Sequence, residues 1–426
     1  MLLAKIQKMY LSILKEELIL ATGCTEPIAI AYAAAQLRDI LEKKPEKIRV
    51  EVSGNIIKNV KSVIVPNTGG LKGITAAIAA GIIGGDASKA LQVISSIPEN
   101  LQGQIAEYAQ NTPIEIVCAD TPRLLDICLT GWADGHYAKV HIANNHSNIV
   151  LKEKDGDIIS KKEISNSAED SLTDKSVLNV KDILEFANTV DICKVEPLLK
   201  PQISCNLAIA EEGMKNNWGA NIGSVLLKEY PQGIKTEAKA WAAAGSDARM
   251  SGCELPVVIL SGSGNQGITA SVPVIRYAMN LGVSQEKLYR ALVVSDLITI
   301  HQKSGIGRLS AYCGAVSAGV GAGAGIAYLL DGTYEAIAHT IVNAVAIISG
   351  TICDGAKPSC AAKIAASVDA GILGYNMYRN NQEFKGGDGI VTKGVENTIA
   401  NIGILAQEGM KQTDRTILSI MTEKCI

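Results

Sequence analysis

The stretch from Cys313 to Leu330, CGAVSAGVGAGAGIAYLL, carries no charge over 18 residues. That is the lower limit of a membrane-spanning length. Its apolar content is Gly, Ala and Val with little Leu or Ile and no Phe, which makes a poor lipid-facing helix but one well suited to close contact with other helices. We therefore expect a helix buried inside a soluble core. The rest of the chain points the same way. Aromatic residues make up only 4% of it, with two Phe and three Trp, so its interior must be built from helices packed through small side chains.

A chain of 426 residues with 47% hydrophobic content can bury at least one large core. Formal net charge is -3, and acidic and basic residues are interleaved throughout, leaving no basic stripe of the kind that nucleic acid or anionic lipid attracts. Neither is an expected partner. The opening MLLAKIQKMYLSILKEELIL is broken by Lys5, Lys8, Lys15, Glu16 and Glu17, so it reads as an amphipathic helix and not a secretory signal. A cytoplasmic location follows as the expectation, and the ten cysteines are then reduced thiols. No CxxC pair occurs, which argues against a redox dithiol and an ordinary zinc knuckle.

The opening helix is expected to run to about residue 20, with Thr22 and Gly23 as its stop and Pro27 in the first turn of a second helix. From about residue 48 to 165 the chain changes character. KIRVEVS, SVIVP, IEIVCAD, YAKVHIAN and NIVLKEKDGDIIS are β-branched, partly alternating and separated by turn signals, and predict a mixed sheet with antiparallel hairpins. GITAAIAAGIIGG and NLQGQIAEYAQ between them read as helices. Polar SNSAEDSLTDKS, residues 165 to 176, reads as a linker or long surface loop. Beyond about residue 180 the pattern is helical, apart from ELPVVILSGSGNQG, an extended run feeding a glycine loop. The fold class is α+β: a large, mainly helical body (1–45 and 177–426) with a smaller mixed-sheet α+β lobe (46–176) inserted near the N-terminus.

Chemistry concentrates at a few positions. Cys24, in ATGCTEP, lies just before a helix N-terminus, where packing alone would accept Ala or Ser. In TICDGAKPSCAAK, Cys353 and Cys360 flank a turn containing Asp354-Gly355, and Cys360 falls in the first turn of a new helix, where backbone N–H groups stabilise a thiolate. Such a Cys-x6-Cys loop can wrap a metal centre, and Cys313, among small residues, is a candidate third thiol. Taken alone, each cysteine reads first as a small buried hydrophobe, the reading kept for Cys118, Cys128, Cys193, Cys205 and Cys253. SGSGNQG contains a GxGxxG match at Gly262, Gly264 and Gly267, but Pro273 interrupts the following helix and no βαβ unit is visible. It reads either as a tight loop or as a nest of N–H groups for a carboxylate, with Ser263 beside it and Asn265 and Gln266 as side-chain donors. NTGGLKG, with Asn67, Gly69 and Gly70, is a second loop of that type. The five His residues form no ligand-spaced cluster; His301 is the one beside polar neighbours.

ATGCTEP, SGNIIKNV, VPNTGGLKG, SGSGNQG, YCGAV and CDGAKPSCAAK occur in this order over nearly the whole chain. Together they resemble the L-cysteine desulfidase family, related to the iron-sulfur L-serine dehydratase α subunits. The resemblance implies a [4Fe-4S] cluster held by Cys313, Cys353 and Cys360, with its fourth iron open, and a general base at Cys24. It implies a pyridoxal-independent carbon-sulfur lyase: β-elimination of L-cysteine to pyruvate, ammonia and hydrogen sulfide. Glu26 is the candidate partner of the substrate ammonium, or a first-turn acid favoured by the helix dipole. Lys357 is the candidate counter-charge to the cluster or partner of the carboxylate. Cys425, the second-last residue, is a candidate fourth thiol reaching the open iron in the resting state. A homodimer is expected. L-serine or another β-substituted amino acid remains the alternative substrate, and a non-catalytic zinc-binding protein the alternative class.

Overall fold

Eight strands and a mainly helical body appear in the computed structural model, which describes residues 2–164, 172–307 and 310–422. The strands are β1 (Ile19–Thr22), β2 (Lys47–Val52), β3 (Ile114–Cys118), β4 (Asp126–Ala133), β5 (His136–Ala143), β6 (Ile149–Lys154), β7 (Asp157–Lys161) and β8 (Pro256–Ile259). Six of them form one sheet in the order β3-β2-β4-β5-β6-β7, with β2 parallel to β3 and the other pairs antiparallel. Asp134-Gly135 and Asp155-Gly156 close the β4–β5 and β6–β7 hairpins, and all four residues have positive φ. Those are the turns whose twist matches the strands they join. The mixed sheet and the α+β class agree with the sequence expectation.

Two local expectations are corrected, and one strand had no expectation. The opening helix ends at Glu17, and Ile19–Thr22 is instead a strand, because it pairs antiparallel with β8 from Ile19–Ile259 to Thr22–Pro256. SVIVP is not a strand of the sheet; Ile64 makes only an isolated bridge to Lys72. The sheet's third strand is β4, whose Thr130-Gly131 breaks the β-branched pattern that marks the others. Gly131 is required there, since a Cβ would come within 2.7 Å of Leu37.

The helix Thr25–Leu41, expected in the helical body, packs on β4, β5 and the helix Gly73–Gly84. Contact is close: a Cβ on Gly81 would lie 2.2 Å from the Ala31 carbonyl oxygen. Residues 172–177 are docked and not loose, with Lys175 paired to buried Glu17 at 3.0 Å and Thr173 donating to Glu16. The body is organised around Gly314–Leu330, which is buried from Ala315 through Leu329. Gly319 and Gly323 face the helix Ser359–Arg379, and Gly321 and Gly325 face Gln285–Ile306, each too near a neighbouring helix for a side chain. This is the small-residue packing that the sequence demanded, and no helix among the described residues is long and apolar enough to cross a membrane. One continuous hydrophobic core runs from the sheet through the body.

Candidate functional site

β1 ends at Thr22 and the chain turns at Gly23, whose φ is 71° and where a Cβ would press on Pro66 at 2.6 Å. Cys24 then becomes the N-cap of the helix Thr25–Leu41. The β1–β8 pairing carries this corner to the glycine loop that follows β8, and the Thr25 hydroxyl donates to the Gly262 carbonyl at 2.9 Å. Ser263 caps the helix Gly264–Leu281. Across from them, Cys313 caps Gly314–Leu330 and Cys360 sits in the first turn of Ser359–Arg379. A bridge between Tyr312 and Ile352, flanked by hydrogen bonds from Cys313 to Thr351 and from Cys353 to Ala311, brings Cys353 beside Cys313. Cys24, Ser263, Cys313, Cys353 and Cys360 thus line one cleft of about 100 Å³. Four helix starts border it, and their unpaired N–H groups make it a place for negative charge.

Electrostatics divide the thiols. Cys313 and Cys353 hydrogen-bond each other; that bond pulls Cys353 down to about 6, with Lys58 and Lys363 adding to it, and holds Cys313 protonated. Burial pushes Cys24 up to about 12, against the pull of Arg249. The Cys24 thiol donates to Glu26 Oε2 at 3.8 Å, so in this state it is a neutral thiol. The helix dipole acts on it, but removal from water is the larger effect. Burial likewise raises Cys360.

Glu26 is 8% exposed and fixed by Asn59 Nδ2 at 3.0 Å and by the Thr25 hydroxyl at 3.0 Å. Asn265 and Gln266 line the cleft with Ser263, as expected. Asn67, Gly69 and Gly70 do not: Asn67 Nδ2 binds the Ile94 carbonyl at 2.8 Å, and that loop serves to brace the Cys24 corner through Pro66. Lys357 does not line the cleft either. Its Nζ is held by the Asp354 and Gly355 carbonyls and the Asp354 carboxylate, so it ties the Cys353–Cys360 loop to itself. His301 pairs with Glu396, which also accepts from the Val180 N–H, a tie between helices away from the cleft. Cys425 lies outside the described residues.

The cleft also contains residues to which no motif drew attention. Arg249 is 2% exposed and its Nη1 donates to Asn265 Oδ1 at 3.1 Å. Lys58, equally buried, pairs with Asp414 at 2.5 Å and faces Cys353. Asn55 and Asn59 come from SGNIIKNV, a stretch that carried the resemblance without an assigned role. For Arg249 the available signal was a single cation in the Ala-rich run AWAAAGSDARM.

Residues 88–419 match the family model described as serine dehydratase alpha chain. The chain belongs to the serine dehydratase alpha chain family. Relatives include UPF0597 proteins of Desulfitobacterium hafniense (60% identity, covering 98% of this chain and 97% of the relative), Lachnoclostridium phytofermentans (50%, covering 97% and 99%) and Treponema denticola (48%, covering 97% of each). The family is one of iron-sulfur-dependent dehydratases, which are lyases. The donor set of this family member fits such a group: three buried or half-buried thiols, one of them a ready thiolate, beside the cations Lys58 and Lys363. Among the described residues no three His, Cys, Asp or Glu side chains converge to hold one metal ion.

Proposed function

We propose that this family member is an iron-sulfur-dependent L-cysteine desulfidase, eliminating hydrogen sulfide from L-cysteine to leave pyruvate and ammonia. The observation that carries the proposal is the opposition, across one small cleft, of Cys24 with fixed Glu26 on one wall and the Cys313, Cys353 and Cys360 thiols on the other. Bound by those three thiols, a [4Fe-4S] cluster supplies a Lewis acid for the leaving sulfur.

The chain's own residues do the remainder. Glu26 faces the substrate ammonium, and a positive charge arriving there favours ionisation of the adjacent Cys24, whose proton leaves to solvent water, so the base forms only when substrate is present. Cys24 Sγ takes the α-proton; the C–H electron pair becomes the Cα=Cβ bond as the C–S bond breaks and sulfide departs. The aminoacrylate released tautomerises to an imine, which water hydrolyses to pyruvate and ammonia.

Support for L-serine as the substrate comes from the family description alone; the same base would serve, with hydroxide in place of sulfide as the leaving group. A homodimeric state and a cytoplasmic location belong to the same proposal. The test is anaerobic purification, with iron, acid-labile sulfide and the visible spectrum measured on one sample, then pyruvate and sulfide release assayed with L-cysteine and L-serine. A broad band near roughly 400 nm with about four iron and four sulfide per chain, and preference for L-cysteine, is the expected result. A cluster-loaded protein that dehydrates L-serine in preference would replace the desulfidase reading, and a zinc-containing protein that takes up no cluster would end it.

A further inference from the structure

Arg249 is a buried cation without an anion. It is 2% exposed, and among the described residues no carboxylate is ion-paired with it. Its Nη1 donates to the neutral amide of Asn265, its charge acts on the Cys24 thiol, and its Nε has no partner. Removing a guanidinium from water without a counter-charge is expensive, so a site that keeps one is built to receive an anion. Gly264 makes room for it: a Cβ there would lie 2.2 Å from Arg249 Nε.

The cluster-binding wall has cations of its own. Lys58 and Lys363 act on Cys353, and Lys357 and Lys363 on Cys360, whereas the cation acting on Cys24 is Arg249. Arg249 therefore stands on the base's side of the cleft, where the α-carbon must lie. The lining of the cleft also holds unpaired acceptors. Asn59 Oδ1 and Asn55 Oδ1 are buried without partners, and the Asn59 amide orientation is fixed because its Nδ2 donates to Glu26. Unpaired acceptors beside a carboxylate suit an ammonium, which offers three donors; an unpaired guanidinium N–H suits a carboxylate.

We propose that Arg249 receives the α-carboxylate of the substrate while Glu26 and the side-chain oxygens of Asn59 and Asn55 receive its ammonium. The cleft then admits free α-amino acids and rejects their decarboxylated or deaminated analogues. This rests on the reading of the cleft as an amino-acid lyase site, and it assigns the carboxylate to a side chain in place of a glycine nest.

L-Alanine tests it, because it has both charged groups and no leaving group at Cβ. Binding of L-alanine, ethylamine and propionate to the cluster-loaded protein would be measured by anaerobic calorimetry. Loss of either charged group should weaken binding on the order of 100-fold, the scale for stranding a buried charge. Arg249→Met should lose L-alanine to the same degree while binding ethylamine as before, and Arg249→Lys should recover part of it. Circular dichroism and the cluster band monitor the fold of each variant; if Arg249→Met does not fold, the ligand series on the unaltered protein decides. Ethylamine bound as tightly as L-alanine, no binding of L-alanine at all, or full L-alanine affinity in folded Arg249→Met would each overturn the proposal. The two readings fail separately. The ligand pattern without turnover of any amino acid removes the lyase reading and leaves Arg249 as the carboxylate partner, and turnover without the pattern does the reverse.

Discussion

Removing the cluster should expose a sharp difference in reactivity between the thiols. Cys353 is held down to about 6 by the hydrogen bond from Cys313 and by Lys58 and Lys363, whereas burial holds Cys24 up to about 12. At pH 7 the first is about 90% thiolate and the second about one part in 10⁵, a ratio of ~10⁵ in the reactive form. A thiolate of lower pKa is intrinsically less nucleophilic, with a Brønsted slope of about 0.4–0.5, which takes back ~10³ and leaves about 100-fold. Steric access adds to this, since Cys24 is 3% exposed and Cys353 half-buried. The assay is brief treatment of reduced, cluster-free protein with iodoacetamide, followed by peptide mass mapping, with exposed Cys118 and Cys193 as internal references. Cys353 should react ~100 times faster than Cys24, and its rate should hold from pH 8 to near 6 and then fall about tenfold per pH unit. Restoring the cluster should protect Cys353. Equal rates at Cys24 and Cys353, or a Cys353 rate still falling tenfold per unit between pH 8 and 7, would refute the electrostatic division of the cleft.

Burial also raises Asp296, which is fully buried beside Gln202, to about 7. The folded state then binds a proton more tightly than the unfolded state, so this contribution to stability is complete below about pH 4 and is lost as pH rises toward 7. Asp296→Asn should therefore stabilise the protein by on the order of 2–4 kcal/mol at pH 8 and by little at pH 4, read by urea unfolding at both. Gly323→Ala places a Cβ 2.7 Å from Gly371 Cα and should cost about 1–3 kcal/mol, seen as a lowered Tm; an unchanged Tm would contradict the helix packing. Lys357→Met should leave the KM for L-cysteine unchanged while loosening the Cys353–Cys360 loop, so that the cluster band decays faster in air. A raised KM would return Lys357 to the substrate.

The order of the chain already contained much of this site. Cys24 before a helix, Cys353 and Cys360 around a turn, and Cys313 among small residues were legible because each depends on local features: a proline in a first turn, an Asp-Gly corner, an uncharged Gly/Ala run. The class was legible for a similar reason, since alternation and turn chemistry act over a few residues. Less visible were β1 and β4. β1 is a strand because β8, more than 230 residues later, supplies its hydrogen bonds, and β4 is held between two neighbours despite a glycine in its middle.

Local sequence therefore determined where the thiols would be and which of them would stand at helix starts. Tertiary structure decided their state. It buried Cys24 deeply enough that desolvation outweighs the helix dipole, and it set Cys313 beside Cys353, where each shifts the other's ionisation. It turned Lys357 toward its own loop and brought Arg249 into the cleft from one helix and Asn55 and Asn59 from another. A side chain's local position can be read from its neighbours in the chain, but its charge depends on water excluded and partners supplied by distant segments, which one-dimensional spacing does not encode.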